Sequence, residues 1–139
     1  VCVASYARRL AELDDSVEAE KLLLKALQKQ QQRSPQPLHR GCLMALLALP
    51  DAGLSTRLRA LEGLLQERPE AGLSYAVARL CQQGQLWGRA RDFALQSLKL
   101  QPAAATHRLL AEVYLKLGDS SLAEQQFRRG LELATAPAD

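Results

Sequence analysis

RLLAEVYLKLGDSSLAEQQFRRGLEL, residues 108–133, aligns without a gap on YAVARLCQQGQLWGRARDFALQSLKL, residues 75–100. Ala111 falls on Ala78, Tyr114 on Cys81, Ala123 on Ala90 and Gly130 on Ser97, each pair 33 residues apart, and Pro102 and Pro69 keep the same spacing. A fixed period of this length signals repeated supersecondary units, none of which can bury its apolar face alone. The small residues mark where two antiparallel helices cross, because Ala or Gly there lets the backbones approach closely. Larger residues such as Leu, Tyr114 and Phe127 fill the flanks, and the proline closes each second helix.

The turn between the two helices is LGDSS, 117–121. Gly118 can take the positive φ that ends the first helix. Ser121 with Glu124 three residues later predicts a capping box for the second. YARRLAELDDSVEAEKLLLKALQKQ, 6–30, repeats the pattern with Ala7, Leu10, Ala19, Leu23 and Ala26, and with DDS as its turn. One unit fits less well. LHRGCLMALLAL (38–49) and STRLRALEGLLQER (55–68) flank PDAG, but Arg57 occupies the place of a small residue. Ahead of that unit QKQQQRSPQP stretches the spacing to 38, from Ala7 to Ala45, and its polar, Pro35- and Pro37-containing sequence reads as a surface loop.

Period and residue pattern together resemble the tetratricopeptide repeat (TPR). The expected fold is all-α: a right-handed solenoid of about four TPR-like helical hairpins. It forms a single domain over 1–136, with hairpins at approximately 1–33, 38–69, 70–102 and 103–134. Residues 34–37 are the loop insert and 135–139 a frayed tail. Ala78, Ala90, Ala111, Tyr114, Ala123, Phe127 and Trp87 are the expected packing residues. Trp87, at the start of a second helix with Gly88 beside it, reads as a wedge between neighbouring hairpins.

Composition agrees with a folded helical chain: of 139 residues, 47% are hydrophobic, 24% charged and only 4% aromatic. The net charge of +3 is scattered through helices that also carry Glu, with no basic stripe or interleaved aromatics, so nucleic acid is not an expected partner. Cys2, Cys42 and Cys81 form no CxxC and no zinc spacing, and read as reduced, mostly buried thiols. No run of about 18 apolar residues is present to span a membrane. The chain opens without Met inside a helical pattern, as a piece of a longer protein would.

The first helix of each hairpin lines the concave side of such a solenoid. Its outward positions are Arg8 and Glu12, then His39, Cys42 and Leu46, then Tyr75, Arg79 and Gln82, then Arg108, Glu112 and Lys116. They describe a mixed, mildly basic groove for a partner's helix or extended peptide. A carboxylate clamp of Lys and Asn, used by some TPR domains, is missing: the chain has no Asn, and Arg8, Leu46, Arg79 and Glu112 stand at those sites.

Catalysis is not expected. No Ser–His–Asp order, phosphate loop or HExxH is present, and Asp14, Asp15, Glu18 and Glu20 suit the start of a helix, where carboxylates favour the macrodipole. His39 and Cys42, three apart, share a helix face in principle, but two ligands without a third make no metal site. His107 reads as a polar residue at a helix interface.

RLCQQGQLWGRARDFALQSLKLQP, 79–102, is similar to a segment of HemY-type proteins, bacterial proteins associated with protohaem biosynthesis. The resemblance rests on Leu80, Leu86, Trp87, Gly88, Ala90, Arg91, Ser97, Leu98 and Pro102, with further likeness at 6–27, 59–69 and 110–133. SPQPLHRG stands where that family often carries a Trp-Asp-like pair. The resemblance implies the repeat domain of a bacterial inner-membrane protein, on the cytoplasmic side, anchored through N-terminal helices outside this sequence. It also implies a non-catalytic scaffold for protein partners or peptide segments, haem-pathway enzymes among them. Two other readings stand beside it. One is a haem or porphyrin carrier with arginines on the propionates and His39 or Cys42 on iron; the other is a cell-envelope assembly scaffold unrelated to haem.

Overall fold

The helix boundaries follow local chemistry. Asp15 caps one helix by accepting from the Glu18 amide at 3.4 Å, and Asp119 caps another by accepting from the Leu122 amide at 3.0 Å. Gly53 and Gly118 both take φ of 86°, the left-handed conformation in which a Cβ is strained. Eight α-helices result in the computed structural model, which describes residues 2–12, 15–50 and 52–135, with the backbone alone for 2 and 10–12. They are α1 (Cys2–Glu12), α2 (Ser16–Arg33), α3 (Arg40–Leu47), α4 (Leu54–Glu67), α5 (Ala71–Gln83), α6 (Trp87–Leu100), α7 (Ala104–Lys116) and α8 (Ser120–Thr135). No strand occurs among the described residues. Residues 34–39 join α2 to α3; Thr135 is still helical, and the rest of the expected tail lies outside the described residues.

The 33-residue period is visible bond by bond. At the end of α5 the Leu86 amide donates to Cys81 O at 2.8 Å, and at the end of α7 the Asp119 amide donates to Tyr114 O at 2.9 Å. Both are the long hydrogen bond of a Schellman turn. The left-handed residue is Gly118 in the second turn and Gln85, with φ of 60°, in the first. The crossings repeat as well. Ser97 Oγ donates to Ala71 O at 2.8 Å, while a Cβ on Gly130 would stand 3.3 Å from Ala104 O. Gly130 therefore lets α8 lie directly on α7 where a larger residue would hold it off.

Ala78, Ala90 and Ala111 are fully buried and Ala123 almost so, and Ala78 and Ala90 share one continuous core with Leu23, Leu27, Leu46, Leu61, Leu73, Leu80 and Leu110. Each such leucine contributes about 1.5–3 kcal/mol relative to exposure. Trp87 and Tyr114 pack against this core while partly exposed. Phe127 departs from expectation: it is 42% exposed, because no described helix lies over that side of α8.

The second hairpin is built differently from the others. α1 pairs with α2, α5 with α6 and α7 with α8, but α3 packs mainly on α1, α2 and α5, and α4 on α2 and α5. Arg57 explains the separation. Its side chain is fully buried at the crossing, where the other units have Ala, and donates to Leu46 O (3.0 Å), Leu49 O (3.4 Å), Ala52 O (3.1 Å) and Pro50 O. It thereby supplies donors to carbonyls at the end of a helix only eight residues long and in the loop after it.

Two further expectations are corrected. α8 starts one residue ahead of Ser121, so the cap is Asp119, and Glu124 pairs with Arg128 one turn on instead of reaching back. Cys42 and Leu46 belong to the core, at 4% and 0% exposure, because α3 turns that face toward its neighbours.

Candidate functional site

Helices α5 and α7 are related by the 33-residue offset, and their outward positions border one recess. Between them is a recess of about 280 Å³ lined by Tyr75, Arg79, Gln82, Arg108 and Glu112, with Ala105 and Leu109 completing its wall. Arg79 Nη1 donates to Tyr75 Oη at 3.1 Å, and its guanidinium carbon stands 5.9 Å from the centre of the Tyr75 ring. This arrangement holds a partly exposed cation beside an aromatic face. Across the recess Gln82 Nε2 donates to Glu112 Oε2 at 2.9 Å, tying α5 to α7, and Arg108 Nε stands 3.4 Å from Glu112 Oε1. The recess thus carries two guanidinium groups and one carboxylate that is already engaged by Gln82 and Arg108. A peptide carboxylate or backbone carbonyl finds cationic donors there, and an apolar side chain finds Tyr75.

Five of the groove residues expected from the sequence therefore come together. The others do not. Arg8 is exposed beside a separate recess of about 290 Å³ formed with Ala45, Leu49 and Pro50. Lys116 places Nζ 5.8 Å from the Trp87 ring centre, covering the indole. The side chain of Glu12 lies outside the described residues. His39 is the N-cap of α3, its Nδ1 accepting from the Cys42 amide at 3.3 Å, so it serves helix geometry.

The cap places His39 just ahead of α3, with Cys42 in its first turn. Burial raises the Cys42 thiol above its ordinary range and pushes the Cys81 thiol up to about 11. Both thiols stay protonated at neutral pH and are poor nucleophiles. Among the described residues no group of three or more His, Cys, Asp or Glu is placed to hold a metal ion. His107 is 8% exposed, with Nδ1 2.7 Å from Gln126 Oε1, and lies at an α7–α8 contact. It borders a recess of about 730 Å³ between α6 and α8, lined also by Leu95, Leu98, Lys99, Gln126, Arg129 and Glu132. That recess too has five polar residues, of which His107 and Gln126 bond to each other.

The fold has solved counterparts. The chain superposes on "MamA 41-end from Desulfovibrio magneticus RS-1" with a TM-score of 0.69 over 99% of its length and 76% of the other chain, at 18% identity. The fold is that of a TPR-type solenoid. "MamA RS-1 ArsTM double mutant" superposes with a TM-score of 0.66 over 95% of this chain and 73% of that one, again at 18% identity. No known family model and no curated protein matches the sequence. Among the described residues no helix is long and apolar enough to cross a membrane.

Sequence reading missed three features of this region. Asp119 is recognisable in hindsight as the residue after Gly118 that stands three before Leu122. The Gln83 Nε2 bond to Leu47 O at 2.9 Å, which locks α5 to α3, and the Arg89–Glu62 ion pair between α6 and α4 carry no local signal.

Proposed function

We propose that the protein is a non-catalytic interaction scaffold that holds a segment of a protein partner in the α5–α7 groove. The observation that carries this reading is the convergence of Tyr75, Arg79, Gln82, Arg108 and Glu112 on one recess. Arg79 and Arg108 engage acidic or carbonyl groups of the segment, Tyr75 packs an apolar side chain, and Gln82 with Glu112 keeps the two helices in register. A photo-crosslinking residue at position 79 captures the partner in cells, and the same residue at position 91 on α6 does not. Equal capture at both positions contradicts the assignment.

The finer placement is a HemY-type protein serving late haem synthesis. It is supported by the likeness of residues 79–102, with further likeness at 6–27, 59–69 and 110–133, and in the first segment Trp87, Ala90 and Ser97 are also accounted for by packing.

A further inference from the structure

The recess between α6 and α8 shares no lining residue with the α5–α7 groove. Leu95, Leu98 and Lys99 border it on α6, and Gln126, Arg129 and Leu133 border it on α8. The spacings are i, i+3, i+4 on one helix and i, i+3, i+7 on the other, so two stripes flank a trough that runs along both helices. α7 packs against each of them.

One period earlier the same place lies between α4 and α6, and its chemistry is different. There Glu62 and Arg89 form an ion pair from helix to helix, and Gln66 and Gln96 are neutral. At 33 residues on, Leu95 and Leu122 replace the ion pair, and Lys99 and Arg129 replace the two amides. Neither Lys99 nor Arg129 has a carboxylate partner among the described residues. Glu132 is the one acid on the wall, so the recess is net cationic. Leu95 is 40% and Leu133 43% exposed. That exposure belongs to the face itself, since Leu100, one period before Leu133, is 47% exposed with α7 and α8 following it.

We propose that this recess docks an amphipathic helix of a protein partner, apolar along one stripe and acidic on its flanks. His107 and Gln126 already bond to each other, which leaves the leucines and the two cations for a ligand. A helix laid along the trough presents side chains at the same i, i+3 or i+4, i+7 spacing as the walls. Its apolar stripe covers Leu95 and Leu133, and its flanking carboxylates pair with Lys99 and Arg129. In the α4–α6 recess the bridging ion pair and the neutral amides offer such a helix neither an apolar seat nor an unpaired charge. This surface is independent of the groove proposed above.

Fluorescence anisotropy with the full chain tests this. The probe is a labelled peptide of about 18 residues with leucine on one helical stripe and glutamate on both flanks, and a second peptide carries lysine for each glutamate. Variants are first matched to the unsubstituted chain in helicity by circular dichroism. The acidic peptide binds saturably and the lysine peptide does not. Lys99→Glu/Arg129→Glu weakens the acidic peptide about tenfold, and so does Leu95→Asp. Arg91→Glu/Arg128→Glu, the same charge change on the same helices outside the recess, leaves binding unchanged. No saturable binding below about 1 mM overturns the proposal. So does equal binding of the two peptides, or an equal loss from the control pair. Loss with Arg79→Glu/Arg108→Glu, and not with the recess variants, places the peptide in the α5–α7 groove and overturns it as well. Saturable laurate binding without binding of the acidic peptide overturns the helix and assigns the recess to a small amphipathic anion.

Discussion

Arg57 Nε stands 3.5 Å from Glu20 Oε2, with the arginine side chain wholly withdrawn from solvent at the crossing of the second hairpin. A charge so placed is stable only because carbonyls from Leu46 to Ala52 surround it and Glu20 answers it. Arg57→Leu removes the donor from these buried and part-buried carbonyls and leaves the part-buried Glu20 without its cation. The expected loss is about 3–5 kcal/mol in urea unfolding. A loss below about 1 kcal/mol would show that Arg57 is a passenger.

Glu20 also carries a pH signature. Burial raises its carboxyl above the ordinary 4.5, and the Arg57 charge offsets part of that rise. In the interval between the unfolded value and the raised folded value, the native state holds more protons than the unfolded chain. This group's contribution therefore falls as pH rises through that interval. Measured against Glu20→Gln, which does not titrate, the unsubstituted chain becomes relatively less stable on going from pH 4 toward neutrality. A relative gain over the same range contradicts the burial of Glu20.

The two Schellman turns differ at one residue, Gln85 against Gly118. Gln85 holds a φ of 60° that costs a side-chain-bearing residue about 1–2 kcal/mol, part of which glycine returns as chain entropy. Gln85→Gly is expected to stabilise the protein by about 0.5–1 kcal/mol in thermal unfolding. A lower melting temperature would mean that the Gln85 side chain supplies a compensating contact.

Trp87 starts α6 and packs against the core with Lys116 above its ring. It is partly exposed, so Trp87→Ala is expected to fall near the low end of the about 3–5 kcal/mol typical of a large aromatic. Melting temperature drops before partner capture does. Loss of capture at unchanged stability would make the indole part of the groove.

The repeat was legible because its signal is redundant: Ala78 and Ala111, Ala90 and Ala123, and Pro69 and Pro102 all report the same period. The α5–α7 recess was legible for the same reason, since outward positions related by that offset border one recess. The second unit was not. Arg57 breaks the small-residue rule, and only the folded arrangement reveals the carbonyls it serves. With α3 reduced to eight residues, the register that placed Cys42 and Leu46 outward no longer holds, and His39 becomes a cap. Phe127 was misplaced because a repeat pattern records the contact a unit can make, and no described helix covers that side of α8.

The central claim is that the α5–α7 groove holds a protein partner. The most direct measurement is quantitative capture of partners from the native cell by the unsubstituted chain, by Arg79→Glu/Arg108→Glu, and by the control Arg91→Glu/Arg128→Glu on α6 and α8. Partners that depend on the groove disappear with the first pair and persist with the second. Equal capture by all three chains would contradict the claim.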